Sequence, residues 1–183
     1  MPDLRSRLVD WSGSVAEDRC VNVWIAGGGA FVEGVRNWQT LHGLEEHVAH
    51  RVSIGLMSQT AELFQSMFLD WPLLVDVQQL DAVDPITTPN IVFDCRQWAL
   101  NNMSLERSWE TTSDTISLQL AIATRSSHLF LLKSKLPQSG SVSEAMKDGL
   151  IDQNFNTGRL KGSQLKVSIT NLRESNALVE LTW

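Results

Sequence analysis

Apolar residues first recur with a helical period at Leu4, Leu8, Val9 and Trp11, behind Asp3 as a plausible N-cap, and "WSGS" reads as the end of that helix. The run Val21–Ala26 is apolar except at Asn22 and of strand type, so it predicts a strand. It stops in Gly27, Gly28 and Gly29, and "FVEGVRNWQTL" then restarts with a helical period. From Glu45 to Phe68 apolar residues recur at three and four, including Val48, Val52, Leu56, Met57, Leu63, Phe64, Met67 and Phe68, which predicts one long helix. Short strands are expected at Leu73–Val77 and Ile91–Phe93, the second leading into a helix. Thr112 or Ser113 should cap a helix reaching about Thr124, and His128–Lys133 should form a buried strand. "SVSEAMKDGL" predicts a short helix with a capping box from Ser141 to Glu144. "LKVSITNL" and "ALVELT" read as a closing pair of strands.

Strands alternate with helices almost throughout, and the strands are short and apolar, as in a parallel sheet covered on both faces. The expected fold class is α/β, a three-layer αβα sandwich with a mainly parallel sheet. No repeat, low-complexity tract or linker divides the chain, and its 183 residues suit one domain spanning 1–183.

The net charge of −6 and the lack of any long Lys/Arg run argue against nucleic acid as a partner, although a few lysines and backbone amides still suffice for a nucleotide. Cys20 and Cys95 each border an apolar run and read as buried thiols rather than a disulfide framework. "MPDLRSRLVDW" is too charged for a signal peptide, and no apolar run approaches the roughly 18 residues of a membrane span. A cytoplasmic protein without a membrane partner is expected.

Three stretches carry candidate chemistry. Gly27–Gly29 lie between a predicted strand and a predicted helix, where glycine lets a ligand approach the backbone and a helix start favours an anion. A turn needs fewer than three glycines, which favours anion binding; the pattern matches neither a Rossmann fingerprint nor a P-loop. "TTSD" supplies hydroxyls and Asp114 at a helix start. Capping explains one or two of these residues, and a phosphate or metal-phosphate site is the other reading, with the carboxylate orienting a lysine or Mg²⁺. "LFLLKSK" ends a strand in Lys133 and Lys135, either as point charges for phosphate or as lysines snorkelling out of the core. His47 and His50 lie three apart and could share a helix face, but no Cys or H-E-x-x-H accompanies them, so no metal site is assigned. No G-x-S-x-G motif supports a hydrolase. Asp152 reads as a turn residue in a loop.

Taken together, strand–GGG–helix, then S-D opening a helix, then a strand ending "LLKS" resembles the amino acid kinase family of aspartate, acetylglutamate, uridylate and isopentenyl phosphate kinases. "WETTSDTI", "LLKS", "GLIDQNF" and "ITNLR" come in the order seen in its small aspartate/glutamate/uridylate kinase-like members of methanofuran- and tetrahydromethanopterin-linked C1 metabolism. The resemblance covers most of the chain. It implies an ATP- and Mg²⁺-dependent phosphotransferase with a small phosphorylated or carboxylated acceptor, an aminomethylfuran phosphate in that subgroup. It assigns Asp114 to organising catalytic lysines, and Thr112, Ser113, Lys133 and Ser134 to the nucleotide side. Gly27, Gly28, Gly29 and His50 fall on the acceptor side. Family members are usually homo-oligomers, so one is expected here.

The family also opens with a strand carrying K-x-G-G-S, for which this sequence has no match. "WSGS" follows a helix and has no lysine, and Lys147 is the nearest candidate for the second catalytic lysine of larger members. Either the start is assigned too late or the first strand is absent. The alternative to a kinase is therefore an N-terminally truncated, non-catalytic nucleotide-binding or assembly protein of the same fold.

Overall fold

In the computed structural model, residues 3–15, 19–155, 164–173 and 175–182 are described. They form two units, residues 12–109 and residues 1–11 with 110–183. The architecture is α/β, and hydrogen bonds join the described strands into two three-stranded sheets. The first helix, α1 (Leu4–Val15), continues through "WSGS" instead of ending there.

Residues 12–109 hold an all-parallel sheet in the order β1-β3-β2, from β1 (Asn22–Trp24), β2 (Leu73–Leu74) and β3 (Asn90–Phe93). Central β3 contains the expected strand Ile91–Phe93, and Ile91, Val92 and Phe93 are fully buried. Helices α2 (Gly29–His42) and α3 (Glu46–Ser66) follow β1. The apolar stripe of α3 is buried at Ala49, Ile54, Met57 and Ala61. His50 lies on that buried face whereas His47 is exposed, so the two histidines do not share a face. β2 is shorter than expected because Asp76 leaves the strand to cap a 3₁₀ helix (Val77–Ala82), accepting from the Gln78 N–H at 3.0 Å. Trp24, Phe64, Phe68 and Trp71 form an aromatic cluster, with Phe68 and Trp71 stacked at 4.0 Å. Such a pair contributes about 0.5–1.5 kcal/mol beyond its buried area. Cys95, before α4 (Arg96–Asn101), is buried as expected, but Cys20 is exposed because β1 starts only at Asn22.

The other unit contains α5 (Ser113–Ala123), β4 (His128–Leu132), α6 (Val142–Lys147), β5 (Lys166–Asn171) and β6 (Ser175–Glu180). Its sheet runs β4-β5-β6, with β4 parallel and β6 antiparallel to β5. Only Leu131 of β4 is buried and Leu132 is exposed; among the described strands β4 pairs with β5 alone, and the expected buried strand is half-buried. The core joins Leu118, Val142, Ile151, Phe155, Val167 and Ile169. At α6, Ser141 Oγ accepts from the Glu144 N–H at 3.4 Å, but the other half of the expected capping box is missing. The Glu144 carboxylate takes the Ser139 hydroxyl, and the Ser141 N–H goes to Ser139 Oγ. Among the described residues, no helix is long and apolar enough to cross a membrane.

Candidate functional site

Helix α5 buries seven of its 11 residues, and three of those seven are polar: Asp114, Thr115 and Gln119. A carboxylate in such a place must be paired or hydrogen-bonded, because desolvation penalises its charge. Asp114 is paired with Lys133, the first residue after β4. Lys133 Nζ lies 2.7 and 2.6 Å from the two carboxylate oxygens. Side-chain exposure is 9% for Asp114 and 22% for Lys133, so the lysine is the member that solvent or a ligand can reach. Burial pushes the Asp114 carboxyl above its ordinary value; Lys133 pulls it down, and the negative charge of Asp152 pushes it up further.

Lys133 is itself held by its backbone. Its N–H donates to Thr170 O at 2.9 Å, extending the β4–β5 pairing by one residue. Ser134 O accepts from Asn171 Nδ2 at 3.1 Å, and Asn171, fully buried, accepts in turn from the Arg173 N–H at 2.9 Å. The "ITNLR" stretch thus clamps the lysine segment from β5.

The start of α5 is not capped as expected. Thr112 is the N-cap residue, yet neither its hydroxyl nor that of Ser113 caps the helix. Asp152 does so from the loop after α6. Its carboxylate accepts from the Thr112 N–H at 2.7 Å, the Thr112 hydroxyl at 2.6 Å and the Thr115 N–H at 3.0 Å. A negative charge there also suits the helix dipole. Asp152 is a loop residue as read, but its role went unseen, because a cap supplied from 40 residues away leaves no local signal. Thr115 Oγ1 is buried in the same turn with no hydrogen-bond partner among the described residues. Ser113 is half-buried, Ser134 is exposed, and Lys147 is exposed at the end of α6.

In residues 12–109, the glycine triplet follows β1 as predicted. Gly28 is the N-cap residue of α2, with no side-chain cap. A Cβ on Gly28 would sit 2.0 Å from Val32 Cγ2, and Gly29 has φ +53°. Two of the three glycines therefore have local steric reasons. His50 is buried in α3, only 4% exposed.

The same carboxyl edge of this sheet carries a feature the sequence reading missed. A cavity of about 480 Å³ is lined by Ser58, Val75, Asp94, Arg96, Gln97 and Asn101, among others. Asp94, directly after β3, accepts the Ser58 hydroxyl on one oxygen and the Arg96 N–H, at 2.9 Å, on the other. An Asp immediately after a predicted strand was the available signal, since ligands of open α/β sheets gather at the carboxyl ends of strands. Among the described residues, no group of three or more His, Cys, Asp or Glu side chains is placed to hold a metal ion.

No protein-family profile matches the chain, and no curated protein matches it.

Proposed function

We propose that this chain is an ATP-dependent phosphotransferase acting on a small acceptor, with a three-layer amino acid kinase fold. The observation that carries the reading is the Asp114–Lys133 pair: two residues 19 apart in sequence, each from a motif of that family, joined by two short charge-assisted hydrogen bonds. Phosphoryl transfer depends on positioned positive charge far more than on covalent chemistry of the protein. A lysine anchored by its backbone and aimed by a carboxylate supplies such charge.

On this reading residues 112–114 and 133–134 form the nucleotide side, with Lys133 and Ser134 facing the phosphates. Thr112 contributes by holding the turn, because both of its donors are taken by Asp152. Mg²⁺ arrives on the phosphates of ATP. The acceptor side lies at the carboxyl edge of the parallel sheet, at Gly27–Gly29 and the cavity of Ser58, Asp94 and Arg96. A phosphorylated or carboxylated acceptor, such as an aminomethylfuran phosphate, suits Arg96 and the side-chain-free start of α2. The protein acts in the cytoplasm as a homo-oligomer, without nucleic acid or membrane.

Titration calorimetry with MgATP tests this. Wild type should bind, and Lys133→Ala and Asp114→Ala should each weaken binding on the order of tenfold or more, with folding checked by circular dichroism. A folded wild type that binds no MgATP overturns the proposal.

A second reading, a nucleotide-binding or assembly protein without catalysis, is favoured by one observation. Both donors of Thr112 and the ammonium of Lys133 already have partners within the protein. MgATP binding with no phosphoryl transfer to any phosphorylated or carboxylated acceptor would select it.

A further inference from the structure

The loop after α6 is anchored on both sides of one carboxylate. Leu150 and Ile151 precede Asp152 and Phe155 follows it, and all three apolar residues are buried in the core. The Leu150 and Ile151 N–H groups return to Ala145 O at 2.9 and 3.3 Å, and the Phe155 N–H donates to Asp152 O at 3.2 Å. Asn154 ties the same loop to the segment before α5: its N–H donates to Glu110 O at 3.0 Å and its Nδ2 to Thr111 Oγ1 at 3.1 Å. Asp152 is therefore presented to the first turn of α5 by a fixed frame.

We propose that Asp152 is a positioning residue for the Asp114–Lys133 pair. The role of that pair rests on the phosphotransferase reading; the geometry does not. Asp152 holds residues 112 and 115, and Asp114 lies between them on the same turn. The direction of the Asp114 side chain is set by how that turn is held, and its two oxygens then meet Lys133 Nζ almost equally, at 2.7 and 2.6 Å. A neutral Asn or Ser caps a helix about as well as Asp. What the carboxylate adds is a second negative charge beside one lysine. The charged groups acting on Asp114 are Lys133, from the end of β4, and Asp152, from this loop. The charge of Asp152 thus opposes the ionisation of Asp114 while its backbone N–H favours it, and the carboxylate fixes the turn and keeps the lysine ammonium in a locally negative surround.

The experiment compares Asp152→Asn, which keeps an acceptor oxygen and drops the charge, with Asp152→Ala, which drops both. Two quantities are read: the Asp114 carboxyl titration by ¹³C NMR, and MgATP affinity by calorimetry. Asp152→Ala should weaken MgATP on the order of tenfold, and Asp152→Asn should restore most of that loss. In Asp152→Asn the Asp114 midpoint should move down, because a like charge is gone. An Asp114 midpoint unmoved in Asp152→Asn overturns the proposal, as does a folded Asp152→Ala that binds MgATP like wild type. If wild type binds no MgATP, the phosphotransferase reading fails on its own and the titration alone decides: both variants lose the charge, so an Asp114 midpoint higher in Asp152→Ala than in Asp152→Asn, from a loosened contact with Lys133, supports the positioning role, and equal midpoints overturn it.

Discussion

Two helix starts carry the candidate chemistry, and they are built in opposite ways. α2 begins at glycine, with no side-chain cap, and the sequence signals it loudly through three consecutive glycines. α5 begins without glycine, and its capping oxygens come from Asp152, 40 residues on. At α2 the unusual residues are explained by the backbone: a crowded Cβ at Gly28 and a positive φ at Gly29. At α5 the unusual residue is a buried carboxylate, and local geometry does not call for it. Buried ion pairs seldom stabilise a fold relative to apolar residues of similar size. The louder motif therefore has the more ordinary explanation, and the quieter one asks for a function.

That contrast breaks first at Asp114. Asp114→Ala leaves the lysine ammonium without its partner, which costs about 3 kcal/mol after allowing for the partial exposure of Lys133. The double change Asp114→Leu, Lys133→Met should lose far less, about 1 kcal/mol or nothing, since it removes both charges. Urea unfolding of the three proteins decides. A double variant as unstable as Asp114→Ala would mean that the pair is there for stability, and the asymmetry between the two helix starts would disappear.

Gly28→Ala comes next. The added methyl meets the stiff β-branched Val32 within its own first turn, and the expected loss is about 1–3 kcal/mol. Gly29→Ala has open space around its Cβ but must hold a left-handed backbone, at about 1–2 kcal/mol. If both variants unfold like wild type while ligand binding is lost, the glycines serve the ligand and not the backbone.

How far each region was legible follows from where its signals sit. The strand–glycine–helix order, the long α3, the buried β3 and the two closing strands all rest on local periodicity, and they stand within a residue or two of their expected limits. β2 fell short because a capping Asp76 competes with the strand, a contest that apolar spacing cannot show. One continuous sheet was expected, whereas the described strands pair as two sets of three. Pairing is non-local, and alternating elements do not encode it. At the site, Asp114 and Lys133 were readable as types in context. Asp152, Asn171 and the Ser58–Asp94 contact were not, because each acts on a partner 36 or more residues away.

A smaller effect separates the two helix starts by pH. Asp114 titrates above its ordinary value of 3.8, so the folded state holds this proton more tightly than the unfolded state. As pH rises from 3.8 towards the folded value, the unfolded chain ionises first and this group's contribution to stability falls. Asp114→Asn should flatten that part of the stability curve, whereas Gly28→Ala should move the whole curve down without changing its slope.

The smallest effect is read at Cys95, which makes it a gauge of the glycine-started unit. Burial, with the Asp94 charge beside it, pushes this thiol up to about 12, while Cys20 is exposed. Thiolate is the reactive form, so at about pH 8 a disulfide reagent should label Cys20 quickly and Cys95 only when its surroundings open. Above the ordinary value of 9.0 the unfolded thiol ionises before the folded one, so Cys95 adds a modest loss of stability as pH rises towards 12. Gly28→Ala should speed Cys95 labelling, because both residues lie in residues 12–109 and crowding at Val32 lowers the cost of opening there. Asp152→Ala, which unties α5 in the other unit, should leave the Cys95 rate close to wild type. Equal acceleration by both variants would show that the two units open as one, and the separate accounts of the two helix starts would have to be merged.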